Sequence, residues 1–188
     1  TGLSSAGGSM VIFENNTHSE FSYGIQVAGT FDVQIRSNTL FANWNGISAT
    51  GMVRAELSDN IIRNNLDLGI GFGYDNQEVL VTRNSLIDNA GFAVFGGGGA
   101  TSVVITLNYF EGNHLNDGSW TLATAQAENP GGYLTWEMGG LGNFWADWTA
   151  PDSDGDGIVD MPYEGAESTI DQCPLVHPFG APVGLDAT

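Results

Sequence analysis

Ile35-Arg36-Ser37-Asn38-Thr39-Leu40-Phe41-Ala42-Asn43, with Gly46-Ile47 close behind, is a phrase that the chain repeats. It returns as Leu57-Ser58-Asp59-Asn60-Ile61-Ile62-Arg63-Asn64-Asn65 with Gly69-Ile70, then as Val81-Thr82-Arg83-Asn84-Ser85-Leu86-Ile87-Asp88-Asn89 with Ala93-Val94. Ile105-Thr106-Leu107-Asn108-Tyr109-Phe110 carries it again and ends on Asn113. Upstream, Ile12-Phe13-Glu14-Asn15 reads as the first copy. The aligned asparagines are then Asn15, Asn38, Asn60, Asn84 and Asn108, spaced by 23, 22, 24 and 24 residues.

Each unit holds three short stretches of alternating apolar and polar residues separated by turns, the pattern of strands with one buried face. Three strands in about 23 residues make one coil of a parallel β-helix, since propeller blades are longer and ankyrin or tetratricopeptide units need helices. The chain is therefore expected to be all-β, a right-handed parallel β-helix (solenoid) of about five coils. Coils are expected over residues 1–116, and an irregular C-terminal cap over 117–188. The asparagines have a physical reason: the bend between strands needs a left-handed residue, which Asn tolerates. Its amide can also bond the coils above and below in a ladder. If Asn15 points inward as a ladder residue, the sequon Asn15-Asn16-Thr17 should carry no glycan. Gly2-Leu3 reads as a third-strand segment with an open edge before it, and such edges invite pairing. The chain is therefore expected to be the C-terminal part of a longer β-helix.

Composition agrees with strands and turns: 27 Gly, 41% apolar residues and only 14% charged. The net charge is −18, and Arg36, Arg54, Arg63 and Arg83 are the only Lys or Arg residues. Phosphate binding needs clustered cations, so nucleic acid is excluded as an expected partner. An anionic membrane surface is excluded for the same reason, and no apolar run is long enough for a transmembrane helix. The single Cys173 allows no internal disulfide. The expected partners are polysaccharide or other copies or segments of a surface protein.

After Asn113 the period stops, and Trp120, Trp136, Trp145 and Trp148 crowd into an irregular region that reads as a cap. Then comes Asp152-Ser153-Asp154-Gly155-Asp156-Gly157-Ile158-Val159-Asp160. Carboxylates of Asp152, Asp154, Asp156 and Asp160, with the backbone carbonyl of Ile158, can converge on one Ca²⁺ if the loop curls, because Ca²⁺ takes about six to eight oxygens. Four like charges in so short a loop repel one another without a cation. The loop is not a complete EF-hand, since Tyr163 stands where Glu is needed. Glu164 is one place further on. The expected role is structural, tying Trp145 and Trp148 to Met161-Pro162-Tyr163.

The run Gly142-Asn143-Phe144-Trp145-Ala146-Asp147-Trp148, the Asp loop, Met161-Pro162-Tyr163 and Asp171-Gln172-Cys173-Pro174-Leu175 together resemble the C-terminal signature of one β-helix group. That group comprises the right-handed β-helix proteins related to the periplasmic copper-binding protein of nitrous-oxide reductase assembly, within the pectin-lyase-like superfamily. Cys173 departs from the aromatic residue usual there. The resemblance implies the fold, calcium and an extracellular, cell-surface or periplasmic location, and is less specific for activity.

Three functions are weighed. The first is a non-catalytic module that binds polysaccharide or serves as a scaffold, with Trp44, Tyr74 and Trp120 as aromatic platforms, and Phe72 and Trp136 as further candidates. The second is a polysaccharide lyase, epimerase or glycoside hydrolase. Arg36 and Arg83 are expected near one ridge, with Asp59 and Asp88 on neighbouring turns as weak catalytic candidates. The third is copper handling, for which His18, His114 and His177 are widely separated in sequence.

Overall fold

The computed structural model describes residues 2–99, 101–114, 125–148 and 150–179. Eighteen of its strands form three parallel sheets of six strands each, and Tyr163–Glu164 and Ile170–Asp171 make a separate antiparallel pair. The first holds Leu3–Ala6, Tyr23–Ala28, Asn45–Thr50, Ile70–Phe72, Val94–Gly96 and Ala127–Glu128. The second holds Ser9–Glu14, Phe31–Arg36, Val53–Ser58, Gln77–Thr82, Thr101–Thr106 and Leu134–Thr135. The third holds Thr17–Ser19, Thr39–Phe41, Ile61–Arg63, Ser85–Ile87, Tyr109–Glu111 and Phe144–Trp145. Neighbours in a sheet come from successive coils, so the chain is a parallel β-solenoid, with no helix among the described residues.

Register places like on like. Val33, Ala55, Val79 and Val103 stack in one column, and Ile35, Leu57, Val81 and Ile105 in the next. Leu40, Ile62, Leu86 and Phe110 form the column of the third sheet. All are buried. The alternation in sequence has this cause: inward positions contribute about 1.5–3 kcal/mol each when an aliphatic side chain is fully buried, and outward positions face water.

The asparagine ladder runs Asn16, Asn38, Asn60, Asn84, Asn108 and Asn143. Each Nδ2 donates to the Oδ1 of the next, at 3.0, 2.9, 2.8, 3.0 and 2.9 Å. The backbone N–H of each residue donates to the same oxygen. From Asn38 onward each Nδ2 also reaches back to a strand carbonyl, as Asn60 does to Ile35 at 2.8 Å.

Asn15 is not a member, contrary to expectation. It is exposed, and its φ is 57°. It occupies the left-handed position immediately before the ladder, shared with Ser37, Asp59, Arg83 and Leu107 at φ 56°, 57°, 54° and 60°. The bend and the ladder are therefore tasks of adjacent residues, and the ladder residue is Asn16. Asn15, the first residue of the sequon Asn15-Asn16-Thr17, is therefore exposed and not held inward.

Asn43, Asn65, Asn89 and Asn113 form a second ladder at the other end of the third sheet. Gln126 extends it, receiving the Asn113 amide at 3.0 Å. The solenoid does not stop at 116. Ala127–Glu128, Leu134–Thr135 and Phe144–Trp145 add a short rung to all three sheets. Asn143 holds its ladder place 35 residues after Asn108. The expected boundary at 116/117 therefore separates regular coils from an irregular last one, and the cap lies on top of that rung.

Candidate functional site

Two regions could do chemistry or bind: the capped end and the flank. At the capped end, stacking joins the core to the cap. Trp145 lies between Phe110 and Tyr163, with ring centroids 4.2 and 3.8 Å away. Trp148 meets Tyr163 edge-on, and its Nε1 donates to the Met161 carbonyl at 3.0 Å. The expected link between the tryptophans and Met161-Pro162-Tyr163 is present. Trp136 is buried against Trp145 and is not a surface platform, and neither is Phe72.

Both ladders end on a carboxylate. The fully buried Asp171 presents Oδ2 to the Asn143 N–H at 2.7 Å, to Asn143 Nδ2 at 3.2 Å and to Trp145 Nε1 at 2.9 Å. Its Oδ1 accepts the Cys173 N–H at 3.1 Å. In the second ladder Gln126 Nε2 donates to Asp147 Oδ1 at 2.6 Å. The reason is directional. Every rung donates towards the C-terminal end, so the last rung needs a group that only accepts, and an ionised carboxylate is that group.

Burial pushes the Asp171 carboxyl above the ordinary aspartate range, against the pull of its hydrogen bonds from Trp145, Asn143 and Cys173. Desolvation likewise raises Asp147, opposed by Gln126. A raised folded-state pKa means that the folded chain holds protons the unfolded chain releases. That contribution to stability is fully present below the unfolded value and is lost as pH rises through the folded one. In chelator, the melting temperature should therefore rise as pH falls into the carboxylate range, and Asp171→Asn should flatten that rise. Parallel pH profiles for wild type and variant would remove Asp171 from this account.

The Asp loop curls as expected. Asp152, Asp154 and Asp156 each bring one carboxylate oxygen within 4.8 Å of the others. Gly155 and Gly157 permit the curl with φ of 75° and 90°. Loop amides point inward: Asp152 accepts from Gly155, Asp156 and Gly157. None of the ion pairs among the described residues reaches the loop. Asp160 is not among the three converging carboxylates; its Oδ2 accepts the Ser153 N–H at 3.0 Å across the base of the loop. Ile158 bridges to Leu175, and Glu164 pairs with Ile170 away from the cluster. The donor set fits a hard cation: three carboxylates on a glycine-relaxed loop with no competing Arg.

On the flank, the structure brings two of the catalytic candidates together, Asp59 and Arg83, which line one pocket. Arg83 makes a bidentate pair with Asp59 at 2.9 Å, and Arg36 pairs with Glu14 at 3.1 Å. These pairs are largely exposed, and such pairs contribute little. Asp88 lies at the far corner of the third sheet, in the left-handed turn before Asn89, remote from Asp59. His114 is buried and stacks on Phe92 at 4.1 Å. Among the described residues no histidine joins a group of three potential ligands.

The aromatic candidates differ as well. Trp44 is 56% exposed and Tyr74 is 69% exposed, at opposite corners of the first sheet. Trp120 lies outside the described residues. Sequence reasoning missed Tyr133, which is 41% exposed and shares a cleft with Tyr74. The two are far apart in sequence, and only the coil stack brings them together.

No helix among the described residues is long and apolar enough to cross a membrane. A family model described as "Right handed beta helix region" matches residues 1–130. No curated protein and no solved structure matched the chain.

Proposed function

The chain belongs to the right-handed β-helix family, and from that premise we propose that it is a calcium-stabilised module of the cell surface, periplasm or extracellular space whose flank binds polysaccharide. The observation that carries this reading is that large aromatic side chains stand out from a rigid flank of parallel strands, Tyr74 being 69% exposed. Core burial of such rings is strongly favourable, so rings held in water on a rigid surface mark a contact surface. Sugar rings present the flat C–H faces that such rings cover.

Calcium is supported by the three converging carboxylates and by their lack of a cationic partner. Its role is structural. It would be held by Asp152, Asp154 and Asp156, with the neighbouring Trp148–Met161 contact fastened to the last coil. Binding to the folded state alone stabilises by mass action, about 2.7 kcal/mol at a hundredfold excess over Kd. Chelation should therefore lower the melting temperature by several degrees and change Trp fluorescence. Asp154→Ala should reproduce both effects, and Asp75→Asn, which removes a charge but keeps a residue that tolerates the left-handed backbone at φ 60°, neither. A melting curve indifferent to chelator and to Ca²⁺ would end the calcium reading.

With Ca²⁺ present, the chain should be retained by at least one polysaccharide in a panel of neutral and acidic polymers and should leave it intact. Retention by none would remove the binding reading. Shortened or unsaturated products would replace it with catalysis by a lyase or glycoside hydrolase.

A further inference from the structure

Where the first sheet turns into the second, a cleft of about 450 Å³ has aromatic walls and a largely glycine floor. Tyr74, Phe95 and Tyr133 line it, with Gly97, Pro130 and Gly131. No lining residue carries a charge, although the chain holds 22 Asp and Glu. Tyr74 and Tyr133 are 69% and 41% exposed.

The glycines are required by packing. A Cβ on Gly97 would fall 2.3 Å from the Phe72 carbonyl oxygen, and one on Gly131 would fall 1.7 Å from the Tyr133 ring. The ring of Tyr133 therefore lies flat over the backbone at 131, and side chains are kept out of the cleft. Tyr74 and Tyr133 lie in the turns that lead into strands Gln77–Thr82 and Leu134–Thr135, and Phe95 lies in strand Val94–Gly96 of the coil between them. The three aromatics therefore come from successive coils and span about 10 Å of the stack, two inter-strand spacings.

We infer that this cleft binds a neutral polysaccharide whose chain runs along the stack, with the tyrosine rings covering faces of its sugar rings. The inference rests on the glycan-binding reading and names its site and polymer class. Charge selects the class. A uronate polymer meets no cation in the cleft and the field of a chain with net charge −18. An uncharged, hydroxyl-rich chain pays no such penalty. A cleft of this volume with a mostly apolar lining has the build of a ligand site.

Affinity electrophoresis of the full chain in Ca²⁺ tests this, using mixed-linkage β-glucan, galactomannan, dextran, polygalacturonate and alginate. A neutral polymer should retard migration. Tyr74→Ala and Tyr133→Ala should each weaken that retardation about tenfold, the equivalent of one lost aromatic contact. The exposed positions predict unchanged melting temperatures. Gly131→Ala should mimic Tyr133→Ala, because the added methyl displaces the ring. If a neutral polymer binds equally well to all three variants, the site is overturned while glycan binding stands. Binding confined to polygalacturonate or alginate overturns the neutral class. Capture of a proline-rich peptide, lost in Tyr74→Ala while no polymer binds, makes the cleft a peptide groove and removes the glycan reading. Retardation by no polymer removes both.

Discussion

Asp171→Leu is expected to lower the unfolding free energy by on the order of 3–5 kcal/mol, because several buried donors lose their acceptor at once. Leucine keeps the branching of aspartate, but its methyls are bulkier than the carboxylate oxygens, so overpacking at this fully buried site adds to the loss. The N–H and Nδ2 of Asn143, Nε1 of Trp145 and the N–H of Cys173 would face an apolar group. Most domains hold about 5–15 kcal/mol in total, so the loss is a large share of the stability and should be plain in an unfolding curve. Part of the loss is offset, since a dry carboxylate is itself costly to keep ionised. Asp171→Asn separates the two contributions: it retains one oxygen for the donors gathered at Oδ2 and should lose far less. Guanidinium unfolding followed by Trp fluorescence reads both, with Trp145 in contact with the site. An unchanged midpoint in the leucine variant would mean that water terminates the ladder in place of Asp171.

Asn60→Leu is the second large effect. The Asn60 side chain accepts from the N–H and Nδ2 of Asn38 and donates to the Ile35 carbonyl and to Asn84 Oδ1. Leucine leaves these groups unmet in the middle of the stack, at a cost on the order of 1–3 kcal/mol for each buried group left unsatisfied, reduced where neighbours relax. A loss of about 3 kcal/mol follows as a working figure. Asn15→Asp supplies the contrast. Asn15 is exposed and outside the ladder, and aspartate tolerates its left-handed backbone, so the change should stay within about 0.5 kcal/mol. Equal losses at 15 and 60 would refute the assignment of the ladder to Asn16.

The coil was legible because stacking makes each coil repeat its neighbours. Ile35, Leu57, Val81 and Ile105 are in register in space because each is the same residue of its own coil. The first rung was misread because Asn15 and Asn16 are adjacent, and aliphatic spacing cannot tell a bend residue from a ladder residue. The spacing of 22 from Asn16 to Asn38 equals that from Asn38 to Asn60, and this regularity was the available clue. The sixth rung was hidden by a 35-residue excursion before Asn143. Asp171 and Tyr133 were not legible at all. One closes a ladder from outside the repeat, and the other joins Tyr74 only through the stack. In the Asp loop the converging carboxylates could be read from alternation, whereas the staple formed by Asp160 depends on how the loop closes.

The ladders carry a direction as well as a load. The bonds from amide to amide all run one way, and carboxylates receive the last of them. Coils can therefore be inserted or deleted anywhere between Asn38 and Asn108 without redesigning the end, provided each brings its own asparagine. Variation in length within such a solenoid is cheap at the terminus, and its currency is whole circuits of chain. A partial circuit would lay a strand of one sheet over a strand of another and take the asparagines out of line with the seal at Asp171.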